Sequence, residues 1–412
     1  MDNLLALFFI VIVVFFIARG RVETHLIAAF GIAVYYFPIF FYLLPEISPA
    51  GRPTGQFQDP SLELRIAIIY ILLTLAISSV APTLRYGKSI RIAAWHTNDN
   101  SIYFLSLIAC ILLLVIALPS VLTATGKSAR VIQAGSLLVF IQYLMSIVAI
   151  LSFARISDRF WRKGTINKLG AASFAAMLII AIFIFQTRSI IFLPFLGGIF
   201  YIYHLRALSS IIFSRYFLLI FSLSAFMVLG KVIANRLIYG IDGIDLLLAL
   251  QGSIESFGIS AYLNVVIASG MRADTLSSVV GGLVPFLRGS GLDYSNMVRS
   301  TFFYESSFGM AGNPIGELWL NFGPFGSIIY SAYLVLKCRI LNALMARAGG
   351  GLKAFFCMIS FFTLFYVNRN SVQVDLSFIT NFLLLYTLLI TISTFFDNRL
   401  VVFRRLNSSY FD

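Results

Sequence analysis

The sequence predicts an all-α polytopic membrane protein with about eleven transmembrane helices and one large structured loop on its outer face. Three observations predict it. Hydrophobic residues make up 59% of the 412 and charged residues only 11%, where a soluble domain carries about 25% charged residues. Apolar runs long enough to span roughly 30 Å of hydrocarbon recur along the chain. Basic residues alternate in density from one segment between runs to the next, as the positive-inside rule requires.

The first run, residues 3–18, lies in MDNLLALFFIVIVVFFIARGR. No basic segment precedes it and no small-residue cleavage site follows, so it reads as a first spanning helix rather than a signal peptide. Runs follow at 24–44, 63–81, 101–121, 132–153, 170–186, 190–205 and 214–232. Residues 1–232 thus form a bundle of about eight helices. Residues 233–313 are a loop. Its apolar stretches IDLLLAL (244–250), FGISAYLNVVIAS (257–269) and LSSVVGGLVPFL (276–287) are too short or too mixed to span. They suit short amphipathic helices at the interface or capping the bundle, and a long loop with structure of its own is usually functional. Runs at 314–337, 354–367 and 376–396 place about three helices and a short cytoplasmic tail in residues 314–412.

The net charge of +13 is assigned to membrane topology and not to nucleic acid. Nineteen Lys and Arg, Lys337 among them, fall in one alternate set of short segments and six in the other. This puts the N-terminus outside and the C-terminus in the cytoplasm. Cys110, Cys338 and Cys357 lie in or beside apolar runs and make neither a disulfide framework nor a zinc spacing. His25, His96 and His204 are scattered, so no metal and no cofactor is expected.

With all three histidines on the inner face, outer-face chemistry falls to carboxylates, arginines and amides. The long loop offers Arg236, Asp242, Asp245, Glu255, Arg272, Asp274, Arg288, Asp293, Arg299 and Glu305. Arginine presents a rigid fork of donors that matches phosphate oxygens, so this mixture suits a phosphate-linked substrate. Arg188, in FQTRSIIF, and Arg369, in FYVNRNSVQ, are each the sole basic residue of a tight outer turn, flanked by amides or hydroxyls. They are read as an anion site at the mouth of the bundle.

The segment GNPIGELWLNFGPFG, residues 312–326, opens the next apolar run, and its Gly312-Asn313-Pro314 turn ends the loop. Pro314 fits the first turn of a helix, where its missing N–H costs nothing. Glu317 and Asn321 then share one helix face, and Glu317 lies where the helix dipole favours negative charge. Gly312, Gly316, Gly323 and Gly326 leave room for close backbone approach.

GNPIGELWLNFGPFGSIIY resembles the segment that follows the large periplasmic loop in the bacterial oligosaccharide repeat-unit polymerases, the Wzy-type polymerases of O-antigen and capsular polysaccharide. FQTRSIIFLPFL and VNRNSVQVDLSFI resemble that family's arginine turns before a helix. The order of features, with one dominant outer loop late in the chain, matches as well.

The resemblance implies a glycosyltransferase of the inner membrane. It moves the growing chain from undecaprenyl diphosphate onto the next lipid-linked unit, so that undecaprenyl-diphosphate-linked oligosaccharide is both donor and acceptor. The implied partners are membrane lipid, a chain-length regulator and the flippase of the same pathway. Positioned arginines would stabilise the leaving diphosphate: Arg188 and Arg369 first, then Arg272, Arg288 and Arg299, with Asn321 as a further substrate contact. A carboxylate would take the acceptor proton, with Glu305 and Glu317, which flank the Gly312–Pro314 turn, ranked above Glu255 and Asp293. Two other readings remain. A flippase for the same lipid-linked units is expected to carry charges inside the spans and pseudo-symmetric halves. An O-antigen ligase is expected to carry a histidine in the outer loop.

Overall fold

The computed structural model describes residues 2–19, 23–50, 53–80, 99–123, 127–181, 189–206, 255–272, 294–305 and 312–408. The expected run at 214–232, most of the long loop, and the candidates Arg188, Arg288 and Asp293 lie outside the described residues.

The protein is helical and membrane-embedded in character. Among the described residues, six helical segments are long and apolar enough to cross a membrane: 62–80, 99–117, 139–163, 325–347, 350–369 and 372–396. Shorter apolar helices lie at 3–18, 24–40, 168–179, 192–203 and 256–268. The chain divides into two compact units.

The first unit holds residues 1–85, 207–342 and 362–377. Helices α1 (Asp2–Ala18), α2 (Thr24–Phe40) and α3 (Leu62–Val80) pack on one another, and Phe9 stacks on Phe40 with ring centroids 4.3 Å apart. Between α2 and α3 runs a small antiparallel hairpin, β1 (Pro45–Ile47) and β2 (Pro53–Phe57). Nothing in the apolar pattern announces it, because strands this short leave no alternation to read.

Among the described residues, the long loop supplies two short helices, α8 (Glu255–Ala268) and α9 (Tyr294–Phe302). Helix α8 coincides with the stretch 257–269 read as a capping helix. It packs on α2, α3 and β1, and three side-chain bonds dock it. Ser260 Oγ donates to the Tyr35 carbonyl at 2.7 Å. Asn264 Oδ1 accepts from Ser61 N at 2.8 Å, and Asn264 Nδ2 donates to the Asp59 carbonyl. Val266, Val298, Phe303 and Leu320 close a small core among the loop helices and α10 (Pro314–Phe322).

The run 314–337 is two helices rather than one. Gly323 takes a positive φ of 63° at the end of α10 and Pro324 follows, a combination that stops a helix. The chain then turns into α11 (Phe325–Arg347). A Cβ on Gly326 would fall 2.5 Å from the Leu318 backbone, so the close approach expected at these glycines is partly made by α10 itself. Lys337, counted from the sequence among the inner-loop cations, is buried inside α11. The unit ends with a π turn (Phe361–Phe365), a 3-10 turn (Tyr366–Arg369) and the start of the last helix, α13 (Val372–Ser408).

The second unit holds residues 86–206, 343–361 and 378–412. It contains α4 (Asp99–Thr123), α5 (Lys127–Lys163), α6 (Lys168–Ile179), α7 (Ser189–Arg206), α12 (Gly350–Ser360) and most of α13. Helix α5 runs 37 residues, well past the apolar run at 132–153. Tight packing comes from glycine: a Cβ on Gly197 would lie 2.6 Å from the Met358 Cα. Phe355 stacks on Tyr386 at 3.9 Å.

Candidate functional site

The two motifs singled out around Asn313 and Arg369 meet in the first unit, where Asn313 contacts Asn368, 55 residues further along the chain. Asn313 is the N-cap of α10. Its Oδ1 accepts from Ile315 N at 2.9 Å and Gly316 N at 3.1 Å, and Pro314 fills the first helical position. The other end of the same amide reaches outward. Asn313 Nδ2 donates to the Tyr36 hydroxyl at 2.9 Å and to the Asn368 carbonyl at 3.5 Å. The Tyr36 hydroxyl donates to that carbonyl at 3.4 Å, and the Tyr330 hydroxyl donates to Asn368 Oδ1 at 3.2 Å. Four buried polar side chains thus fix the turn that carries Arg369. A buried network of this kind holds one arrangement only when its members are satisfied.

Glycines permit the approach. A Cβ on Gly312 would lie 2.9 Å from the Asn370 carbonyl carbon and would also overlap Ser371 N. A Cβ on Gly31 of α2 would fall 2.7 Å from Asn368 Nδ2 and 2.8 Å from the Phe365 Cα.

Glu317 is fully buried. Its Oε2 accepts the Val372 backbone N–H at 2.6 Å. Asn321 Nδ2 donates to the Glu317 carbonyl oxygen at 2.7 Å. The pair expected to share one polar face therefore divides its work, with the Glu317 carboxylate committed to the start of α13. Arg369 is half-buried. One of its guanidinium nitrogens donates to the Tyr366 hydroxyl, and its guanidinium carbon lies 5.4 Å from the Tyr366 ring centroid.

Among the loop candidates, Arg272 follows α8 and is exposed. Its Nη1 donates to the Trp319 carbonyl, at the end of α10, at 3.2 Å, where a cation meets the negative end of the helix dipole. Arg299 occupies the last turn of α9 and is half-buried. Glu305 is exposed, and its backbone N–H donates to the Pro49 carbonyl beside the hairpin at 3.3 Å. Glu255 is the first residue of α8.

The structure adds residues that the sequence reading passed over. Tyr36 and Tyr330 belong to the Asn313–Asn368 network, and Lys337, Asp375 and Tyr333 form a buried charged cluster. Asp375 stood at the border of an apolar run, where a lone acid draws no attention. A charge inside a span is nonetheless the signal by which it could have been found.

No family model matches this chain, and neither a curated protein nor a solved structure is significantly similar to it.

Proposed function

We propose that this protein polymerises undecaprenyl-diphosphate-linked oligosaccharide repeat units at the periplasmic face of the bacterial inner membrane. In this reading the chain crosses about eleven times, the N-terminus and the 233–313 loop are periplasmic, and the C-terminus is cytoplasmic. A hydroxyl of the incoming lipid-linked unit attacks the anomeric carbon of the growing chain. The new glycosidic bond forms as the bond to undecaprenyl diphosphate breaks, and a carboxylate takes the hydroxyl proton. Charge builds on the leaving diphosphate, and arginines already in place stabilise it without reorganising.

Arg369 and Arg188 are the first anion-binding residues in this reading, with Arg272, Arg288 and Arg299 completing the set and Asn321 contacting substrate. Glu305 is the preferred base because its carboxylate is exposed. Glu317, buried against the Val372 amide, supports the Arg369 turn. A chain-length regulator and a flippase of the pathway are its expected partners.

The observation that carries the reading is the junction of the two motifs. The turn after the long loop and the Arg369 turn are held together by Asn313, Glu317 and Gly312. The test is a gel of surface polysaccharide from a strain lacking this gene. Loss of long chains with retention of a single-repeat rung is expected. Arg188→Ala and Arg369→Ala should reproduce that pattern at normal protein level.

One observation favours a second reading. Lys337 and Asp375 place charge inside helices long enough to span, as expected of a flippase for the same lipid-linked units. Loss of the single-repeat rung as well would select that reading.

A further inference from the structure

Lys337 and Asp375 are buried in α11 and α13. The ammonium lies 2.6 Å from Asp375 Oδ2 and also donates to the Thr363 carbonyl. The Tyr333 hydroxyl donates to the same carboxylate oxygen at 2.5 Å. Lys337 Nζ sits 4.3 Å from the centroid of the Tyr333 ring. Asp375 Oδ1 is buried with no hydrogen-bond partner among the described residues.

Stability alone gives no reason for this arrangement. Two charges in an apolar bundle are costly, and their attraction offsets desolvation only when the remaining lone pairs are satisfied. Here one oxygen is not. Well-packed apolar residues of similar volume would join α11 to α13 as well or better.

The placement gives a reason. Thr363 and Asp375 bracket residues 364–374, the segment that carries Arg369, and one ammonium touches both ends of it. The chain leaves α geometry there through a π turn and a 3-10 turn. Such departures free carbonyls from the regular ladder and mark functional positions. The Thr363 carbonyl is put to use by Lys337. Asn368 Nδ2 donates to the Leu364 and Phe365 carbonyls at 3.3 and 3.1 Å.

We propose that Lys337, Asp375 and Tyr333 form a clasp that sets the position of the Arg369 turn. They are positioning residues for that arginine, acting together with Asn313 and Glu317. The functional consequence rests on the anion-binding reading of Arg369 given above, whereas the clasp itself does not.

The test uses the full chain in its native membrane with Asn370→Cys as a reporter. Asn370 is half-buried on the turn, and Cys110, Cys338 and Cys357 are buried, so maleimide reports on position 370. Lys337→Met or Asp375→Asn breaks the pair and leaves a partner buried alone, which lowers protein yield. Lys337→Met with Asp375→Leu removes both charges and restores yield. In that paired variant the reporter should label about tenfold faster, as a locally loosened turn does, and long polymer chains should be lost.

A reference labelling rate at restored yield overturns the clasp. Tyr333→Phe removes one hydroxyl and keeps the packing, so it decides the matter where the paired variant is poorly made. Several-fold faster labelling supports the clasp, and an unchanged rate overturns it. Faster labelling with polymer intact supports the clasp and removes the functional reading of Arg369.

Discussion

The carboxylate of Glu317 accepts the backbone N–H of Val372 at 2.6 Å. Val372 opens α13, and Glu317 itself lies in the first turn of α10. The first N–H groups of a helix have no partner within it, and a negative charge there also meets the positive end of the dipole. One buried carboxylate therefore serves two helix starts, and it fixes the far end of the Arg369 turn to the end of the long loop.

Glu317→Gln keeps an acceptor oxygen at that place and should leave thermal stability and polymer close to the parent. Glu317→Ala leaves the Val372 amide buried without a partner and should cost about 1–3 kcal/mol, with polymer falling in step. Thermal unfolding of the purified protein and the polysaccharide gel read the two effects separately. A glutamine variant of normal stability that makes no polymer would return Glu317 to the role of base.

Gly312 should tolerate no side chain. Its Cβ would meet the backbone of Asn370 and Ser371, and backbone does not yield as a flexible side chain does. Gly312→Ala should cost about 1–3 kcal/mol, the usual range for overpacking, and should abolish long chains. Gly349→Ala is the control, because a Cβ there meets nothing within 4 Å among the described residues. Equal behaviour of the two variants on the gel would refute the close approach.

Much of this was legible in the sequence and some was not, for physical reasons. The helices followed from apolar run length, and α10 from Asn313 and Pro314, whose chemistry caps a helix start locally. The break at Gly323–Pro324 was hidden because the residues on both sides are equally apolar. That Glu317 and Asn321 share one helix face follows from their spacing, which is all a sequence shows. The Val372 N–H that the Glu317 carboxylate accepts is 55 residues away and is a backbone group, which no side-chain pattern encodes. The Lys337–Asp375 pair was missed for a related reason. Each residue alone looked like a loop charge at the edge of a span, and only the fold brings them within 2.6 Å.

The cysteines should report unfolding. Cys110, Cys338 and Cys357 are free and buried, and an inaccessible thiol does not react. A thiol-reactive dye should give little signal in the folded protein and a single rise on heating. Prompt labelling at low temperature would contradict their burial.

Asn313 carries two separable tasks, and two substitutions divide them. Its Oδ1 caps α10, while its Nδ2 joins Tyr36 to the Asn368 carbonyl. Asn313→Ser retains an N-cap oxygen but cannot supply the amide N–H donor, whereas Asn313→Ala loses both. The alanine variant should be the less stable by about 1 kcal/mol, the usual worth of an N-cap. Serine should still loosen the Arg369 turn, because the Tyr36 hydroxyl loses its donor. That loss is shared with Tyr36, so Tyr36→Phe combined with Asn313→Ser should cost less than the sum of the two alone. A coupling of about 0.5–3 kcal/mol is the range for residues in one network. Unfolding midpoints of the four proteins measure it, and strict additivity would mean that the 2.9 Å bond holds nothing in place.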